Sequence, residues 1–146
     1  MKLNWMGIAI GVLVIGGLAV SLSKVTTRTD IGAPASSAQV AVQVPTLTLT
    51  AQKGQVAFDA NCAKCHGPSA GGSDQGPPLI HNIYNPGHHS DQGFYLAAQN
   101  GVRAHHWNFG NMPPQPQVSN GEIAAIIAYV RELQAANGIK TKPHLM

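Results

Sequence analysis

Cys62-Ala63-Lys64-Cys65-His66 is the stretch on which the reading of this chain turns, because it holds both of the sequence's cysteines and sets a histidine directly after the second. Two thiols three residues apart followed by an imidazole form the c-type haem attachment signature. The spacing has a physical reason. Both sulfurs must reach the two vinyl groups on one edge of a porphyrin, and the next residue must bring its imidazole under the central iron. A chain leaving a helical turn meets all three demands. Covalent attachment keeps the haem through unfolding and redox cycling, and it makes His66 the proximal ligand. Two other chemistries use such a cysteine pair. A thioredoxin-like redox couple ordinarily sits in a strand-helix-strand setting, which these flanks do not offer. A zinc site needs four tetrahedral ligands, so with only two cysteines it would have to draw on the seven histidines.

Further signals lie outward from the pentapeptide. Gly54-Gln55-Val56-Ala57-Phe58 precedes it and Gly67 follows. Then come Gly76-Pro77-Pro78-Leu79, Asn111-Met112-Pro113-Pro114 and Ile126-Ile127-Ala128-Tyr129-Val130, in that order. Together with the haem motif, these elements resemble the class I cytochrome c family over residues 51–137. The resemblance implies an all-α fold, the small cytochrome c fold wrapped around one covalent haem c. It implies that Met112 is the distal axial ligand, since a thioether is a soft donor suited to iron and a His/Met pair raises the potential relative to two imidazoles. Pro113 and Pro114 fix φ and cannot continue a helix, so Met112 should lie on a stiffened loop rather than fill a core. The resemblance also implies that Pro77 offers its carbonyl to the other ring nitrogen of His66, orienting the ring and strengthening it as a donor. An ordinary Gly-Pro turn is the alternative there. Finally, it implies that the last helix crosses the first, with Gly54 and Phe58 meeting Tyr129 and Gly54 permitting close backbone approach.

Local signals agree with a helical wrap. A first helix is expected over residues 51–61 with Thr50 as its cap, delivering the cysteines at its end. A middle helix should start after Ser90 and stop at Gly101, with Phe94, Leu96, Ala97 and Ala98 available for burial. Ser119 and Glu122 form an S-x-x-E capping box, and Ile123, Ile126, Ile127, Val130 and Leu133 recur at helical spacing up to Gly138.

Arg103 and Trp107 are candidate donors to the haem propionates, and His105 and His106 are expected at the haem edge beside Trp107. His81, His88, His89, His105 and His106 invite a second metal, but no two of them share a helix face with a third ligand, so none is expected. His88 and His89 directly precede the cap of the middle helix and have no assigned role.

The N-terminal third has a different character. Residues 5–22 carry no charge, with Lys2 before them and Lys24 and Arg28 after. A bilayer-spanning helix needs roughly 17–25 apolar residues, so residues 1–22 read as a transmembrane anchor. Ala19-Val20-Ser21 could alternatively serve as the cleavage site of a secretory signal. Either reading exports the rest, placing the haem domain on the periplasmic or extracytoplasmic side of the cytoplasmic membrane. Residues 23–50, rich in Thr, Ser, Ala and Gln with Pro34 and Pro45, read as a flexible linker whose ends stay roughly 25–30 Å apart. The short alternation at residues 40–50 could form a strand but has no partner run. Residues 51–140 make the haem domain and 141–146 a tail.

A composition of 44% hydrophobic and 10% charged residues suits one modest domain plus such an apolar segment. The formal charge of +3 divides unevenly. From Ala51 onward Lys53, Lys64, Arg103, Arg131, Lys140 and Lys142 nearly balance Asp59, Asp74, Asp91, Glu122 and Glu132. No basic cluster with interleaved aromatics and no phosphate-cradling Gly-rich loop is present, so nucleic acid and nucleotide partners are not expected. An iron bound by both His66 and Met112 has no open position for a small-molecule substrate. The expected function is therefore electron transfer between redox partner proteins rather than catalysis, as a membrane-tethered carrier or alternatively as the haem c subunit of a larger oxidoreductase complex.

Overall fold

The computed structural model describes residues 39–143. The expected anchor at residues 1–22 lies outside them, and among the described residues no helix is long and apolar enough to cross a membrane. Four α-helices follow one another: α1 (Leu49–Asn61), a single turn α2 (Ala63–His66), α3 (Asp91–Asn100) and α4 (Asn120–Ala136), with 3-10 turns at Pro68–Ala70 and Asn82–Tyr84. No strand forms among the described residues. Their isolated backbone bridge joins Val102 to Met112.

α4 is built as its sequence predicts. The Ser119 hydroxyl accepts from the Glu122 amide at 3.3 Å while the Glu122 carboxylate accepts from the Ser119 amide at 2.8 Å, completing the capping box. The Ser119 hydroxyl also donates to that carboxylate at 2.7 Å, and this bond first, then the one from the Ser119 amide, holds the exposed Glu122 carboxyl below its ordinary range. Ile123, Ile126, Ile127, Val130 and Leu133 are all buried along one face. That face crosses α1, whose Ala51, Gly54, Ala57 and Phe58 are buried against it. The Phe58 and Tyr129 rings meet with centroids 5.6 Å apart, tilted by 58°. Gly54 sits under the Ala125 carbonyl, where a Cβ would collide with backbone. It is a close approach of the two helices, one helical turn away from the Phe58–Tyr129 contact.

The first helix starts earlier than expected. Leu49 opens it and Thr48, not Thr50, caps it, accepting from the Ala51 amide at 3.3 Å. Thr48 is also tied to α4, with its hydroxyl donating to Glu132 at 2.6 Å and its amide at 3.0 Å. That tertiary bond selects between two threonines that look alike in sequence. The same clasp extends backwards. Asn137 accepts from the Gln43 amide at 2.9 Å and donates to its carbonyl at 2.8 Å, and the Val40 amide donates to the Gly71 carbonyl at 2.8 Å. Val42 and Leu47 pack against the core. Residues 39–48, expected as flexible linker, are thus bound along the head, and they form no strand.

Arg131 joins α4 to the segment that leads into α3. It donates to Asp91 at 2.9 Å, to the Tyr84 carbonyl at 2.9 Å, to the His89 carbonyl at 2.6 Å and to the Gln134 side chain at 2.7 Å. The buried Gln134 amide in turn donates to the Leu79 and Tyr84 carbonyls at 2.9 and 3.0 Å. A buried polar side chain is tolerated only when so paired. The consequence is a fixed course for residues 79–89.

Candidate haem site

Cys62 stands at the junction of α1 and α2, its amide still donating to Phe58 at 2.7 Å. The next turn carries Cys65 and ends on His66. Gly67 follows at φ +74°, where a Cβ would strike the Gly72 backbone, so the chain can reverse under the histidine only with glycine here. The reversal returns Pro77 to His66. The His66 Nδ1 lies 2.9 Å from the Pro77 carbonyl, so Nδ1–H donates and Nε2 keeps its lone pair. Burial holds the His66 imidazole below the ordinary histidine range, with the Pro77 carbonyl pulling weakly the other way. A neutral ring with one fixed tautomer is what a metal requires of a histidine.

The two cysteines are not bridged to each other. Burial, with Cys65 adding to it, pushes the Cys62 thiol up to about 11. A redox-active pair needs a thiol lowered toward neutrality, so this environment is opposite to that of a thioredoxin-type couple.

Cys62, His66 and Pro77 line a cavity of about 470 Å³, and Met112 and Trp107 line the same space. Phe58, Leu79, Phe94 and Ile126 supply apolar wall. Met112 is held there by two backbone bonds to Val102, both 2.9 Å, and stiffened by the prolines behind it. The buried Trp107 indole N–H faces the Tyr84 hydroxyl, whose pKa burial raises and this N–H pulls down. Haem fits these residues, with the Cys62 sulfur and the His66 imidazole at the attachment end and the Met112 thioether lining the same cavity, while the exposed Cys65 does not line it.

Arg103 does not line the cavity, whereas Val102 and Ala104 on either side of it do. The extended backbone at the Val102 bridge alternates its side chains, so a residue between two inward ones points away. His105 and His106 line the cavity as expected, and so does His89, which the sequence left without a role. His81 turns to local duty. Its ring accepts from the Ile83 amide at 3.2 Å and meets the Trp107 ring edge-on at 5.2 Å.

A family model described as cytochrome c matches residues 51–134. Among solved structures, the chain is similar to cytochrome cL of the marine methylotrophic bacterium Methylophaga aminisulfidivorans, at 31% identity and a TM-score of 0.46, over 56% of this chain and 53% of that one. The match therefore spans about half the length of that protein. No curated protein matches the chain.

Proposed function

We propose, because this chain belongs to the cytochrome c family, that it is a single-haem electron carrier with His66 and Met112 as axial ligands, tethered at the outer face of the cytoplasmic membrane. Membership itself makes it a c-type cytochrome with covalently bound haem, an electron-transfer protein that meets redox partner proteins rather than a catalyst. The haem supplies an iron that cycles by one electron. The chain's own residues do the rest. Cys62 and Cys65 would hold the porphyrin edge, and the Pro77 carbonyl keeps the His66 ring oriented with Nε2 as donor. Met112 offers a soft sulfur from a loop that its prolines hold still, which favours the reduced state relative to a second imidazole. The apolar wall keeps water from the site, so little solvent must reorganise when charge changes. With His66 and Met112 both holding it, the iron would have no position left for a substrate.

The observation that carries this reading is the meeting of Cys62, His66 and Met112 on one apolar cavity. Tethering is supported by the uncharged run at residues 5–22 with Lys24 and Arg28 just beyond it. The test is to produce the chain in a host that matures c-type haem, weigh it intact and titrate it with a redox mediator. The expected result is the polypeptide plus a single haem, a one-electron curve, and recovery from the membrane fraction with the N-terminal residues intact. A mass without haem would end the carrier reading, and a mass lacking the first residues would end the tether.

A further inference from the structure

We propose that His88, His89 and His106 form a second metal site, which binds one divalent late-transition-metal ion, Cu²⁺ or Zn²⁺, at the rim of the haem cavity. Their ligand nitrogens all lie within 4.8 Å of one another. The His88 and His106 Nε2 atoms are 3.3 Å apart. Two nitrogens bound tetrahedrally at about 2.0–2.1 Å from one ion stand about 3.3 Å from each other, so this pair already has the spacing of ligands. The third ring is close by, with its centroid 4.7 Å from that of His88 and 5.2 Å from that of His106.

The support behind the rings is that of a metal site. The His89 Nδ1 lies 2.8 Å from the Ile83 carbonyl, so Nδ1–H donates there and Nε2 is left as the ligand atom. Arg131 grips the His89 and Tyr84 carbonyls and fixes the backbone that carries this ring. On the other loop, His105 bonds the Arg103 carbonyl through Nδ1 at 2.8 Å and packs its ring 4.2 Å from His106. His88 and His106 are exposed while His89 is half-buried, giving an ion a way in and one anchored ligand to meet.

The donor set selects the ion. Imidazoles suit copper, zinc and nickel, whereas calcium and magnesium need oxygen donors. Three protein nitrogens leave a fourth position for water. The sequence hides this site because its ligands come from two loops, one entering α3 and one leading to Met112, and share no helix face. A His88–His106 hydrogen bond alone would explain one of the three contacts, but not the third ring held beside them with its tautomer fixed.

The test uses the haem-loaded, oxidised full chain without an affinity tag, titrated calorimetrically with zinc chloride and then with copper sulfate near neutral pH. One ion per chain should bind at micromolar concentration or tighter, copper more tightly than zinc. H88Q, H89Q and H106Q should each weaken zinc by at least about tenfold, while H144Q should leave it unchanged. The copper form should show nitrogen couplings from imidazoles by electron paramagnetic resonance. Variants are compared only where the haem absorption spectrum is retained, and the exposed position of His88 makes H88Q the variant least disturbing to the fold. The proposal is overturned by sub-stoichiometric binding, by affinity that survives H88Q and H106Q, by loss with H144Q instead, or by zinc altering the iron's axial absorption bands.

Discussion

In the proposed site Pro77 and Met112 would act on the iron through opposite kinds of atom, a backbone oxygen that no substitution of side chain removes and a sulfur that a single substitution does. The His66–Pro77 bond of 2.9 Å fixes the proximal ring whatever happens across the cavity. Met112→Ala therefore tests the distal position alone. Its bridge to Val102 is made by backbone atoms, so the loop should keep its course when the side chain is cut back. The expected outcome is a lower midpoint potential and an iron that goes from refusing carbon monoxide to binding it stoichiometrically, read by redox titration and by reduced-plus-CO difference spectra. Met112→His should close the iron again while keeping the potential low, since two imidazoles replace a His/Met pair. Carbon monoxide binding and potential both unmoved in Met112→Ala would remove Met112 from the iron. At this scale the sequence was most legible where chemistry demands contiguity. Cys62, Cys65 and His66 sit together along the chain, and the prolines advertise Met112. Arg103 lies outside the cavity lining, and side-chain alternation around a two-residue bridge leaves no pattern long enough to read that from sequence. His88 and His106 meet only through the fold, so neither announces the other.

At the scale of elements, the α1–α4 crossing depends on a missing methyl. Gly54→Ala would raise intrinsic helix propensity by roughly 1 kcal/mol, yet its Cβ would collide with the Ala125 carbonyl, a backbone atom that can yield only by moving α4. The collision should win, because overpacking a well-filled contact costs about 1–3 kcal/mol. The variant should melt at lower temperature with its Soret band otherwise normal, and a melting point equal to or above that of the parent would mean that the helices do not approach this closely. α4 itself was legible almost residue for residue, since a capping box and a repeating apolar face are local signals. The start of α1 was not. Thr48 and Thr50 offer the same hydroxyl two residues apart, and Glu132, distant in sequence, decides between them.

At the scale of the whole molecule, long-range polar bonds close what the apolar core leaves open. Thr48 to Glu132 and Gln43 to Asn137 strap residues 39–48 onto α4, a docking that composition reads as linker because Thr, Gln and Pro look solvated until their partners are known. The histidine loops form a second closure, bringing residues 88–89 against residues 105–106 across the rim of the cavity. That closure is sensitive to acid. Burial first, then the neighbouring histidines, hold His89 and His106 below the ordinary value of 6.5 in the folded protein. In the unfolded chain both rings take up protons near 6.5, whereas the folded chain resists until lower pH. Between those limits the unfolded state binds more protons, so acidification drains stability. The contribution is complete above pH 6.5 and lost as pH falls toward the depressed folded values. Glu122 adds a separate loss in stronger acid, as pH falls past 4.5, where its carboxyl is half protonated in the unfolded chain, toward its depressed folded value. The thermal midpoint of the metal-free, haem-loaded protein should thus be level above pH 6.5, decline below it, and decline again in stronger acid. Replacing His106 by Gln removes one of the two rings and relieves the repulsion on His89, whose burial remains, so the first decline should become shallower while the second stays. A first decline of undiminished depth in that variant would remove His106 from the acid sensitivity.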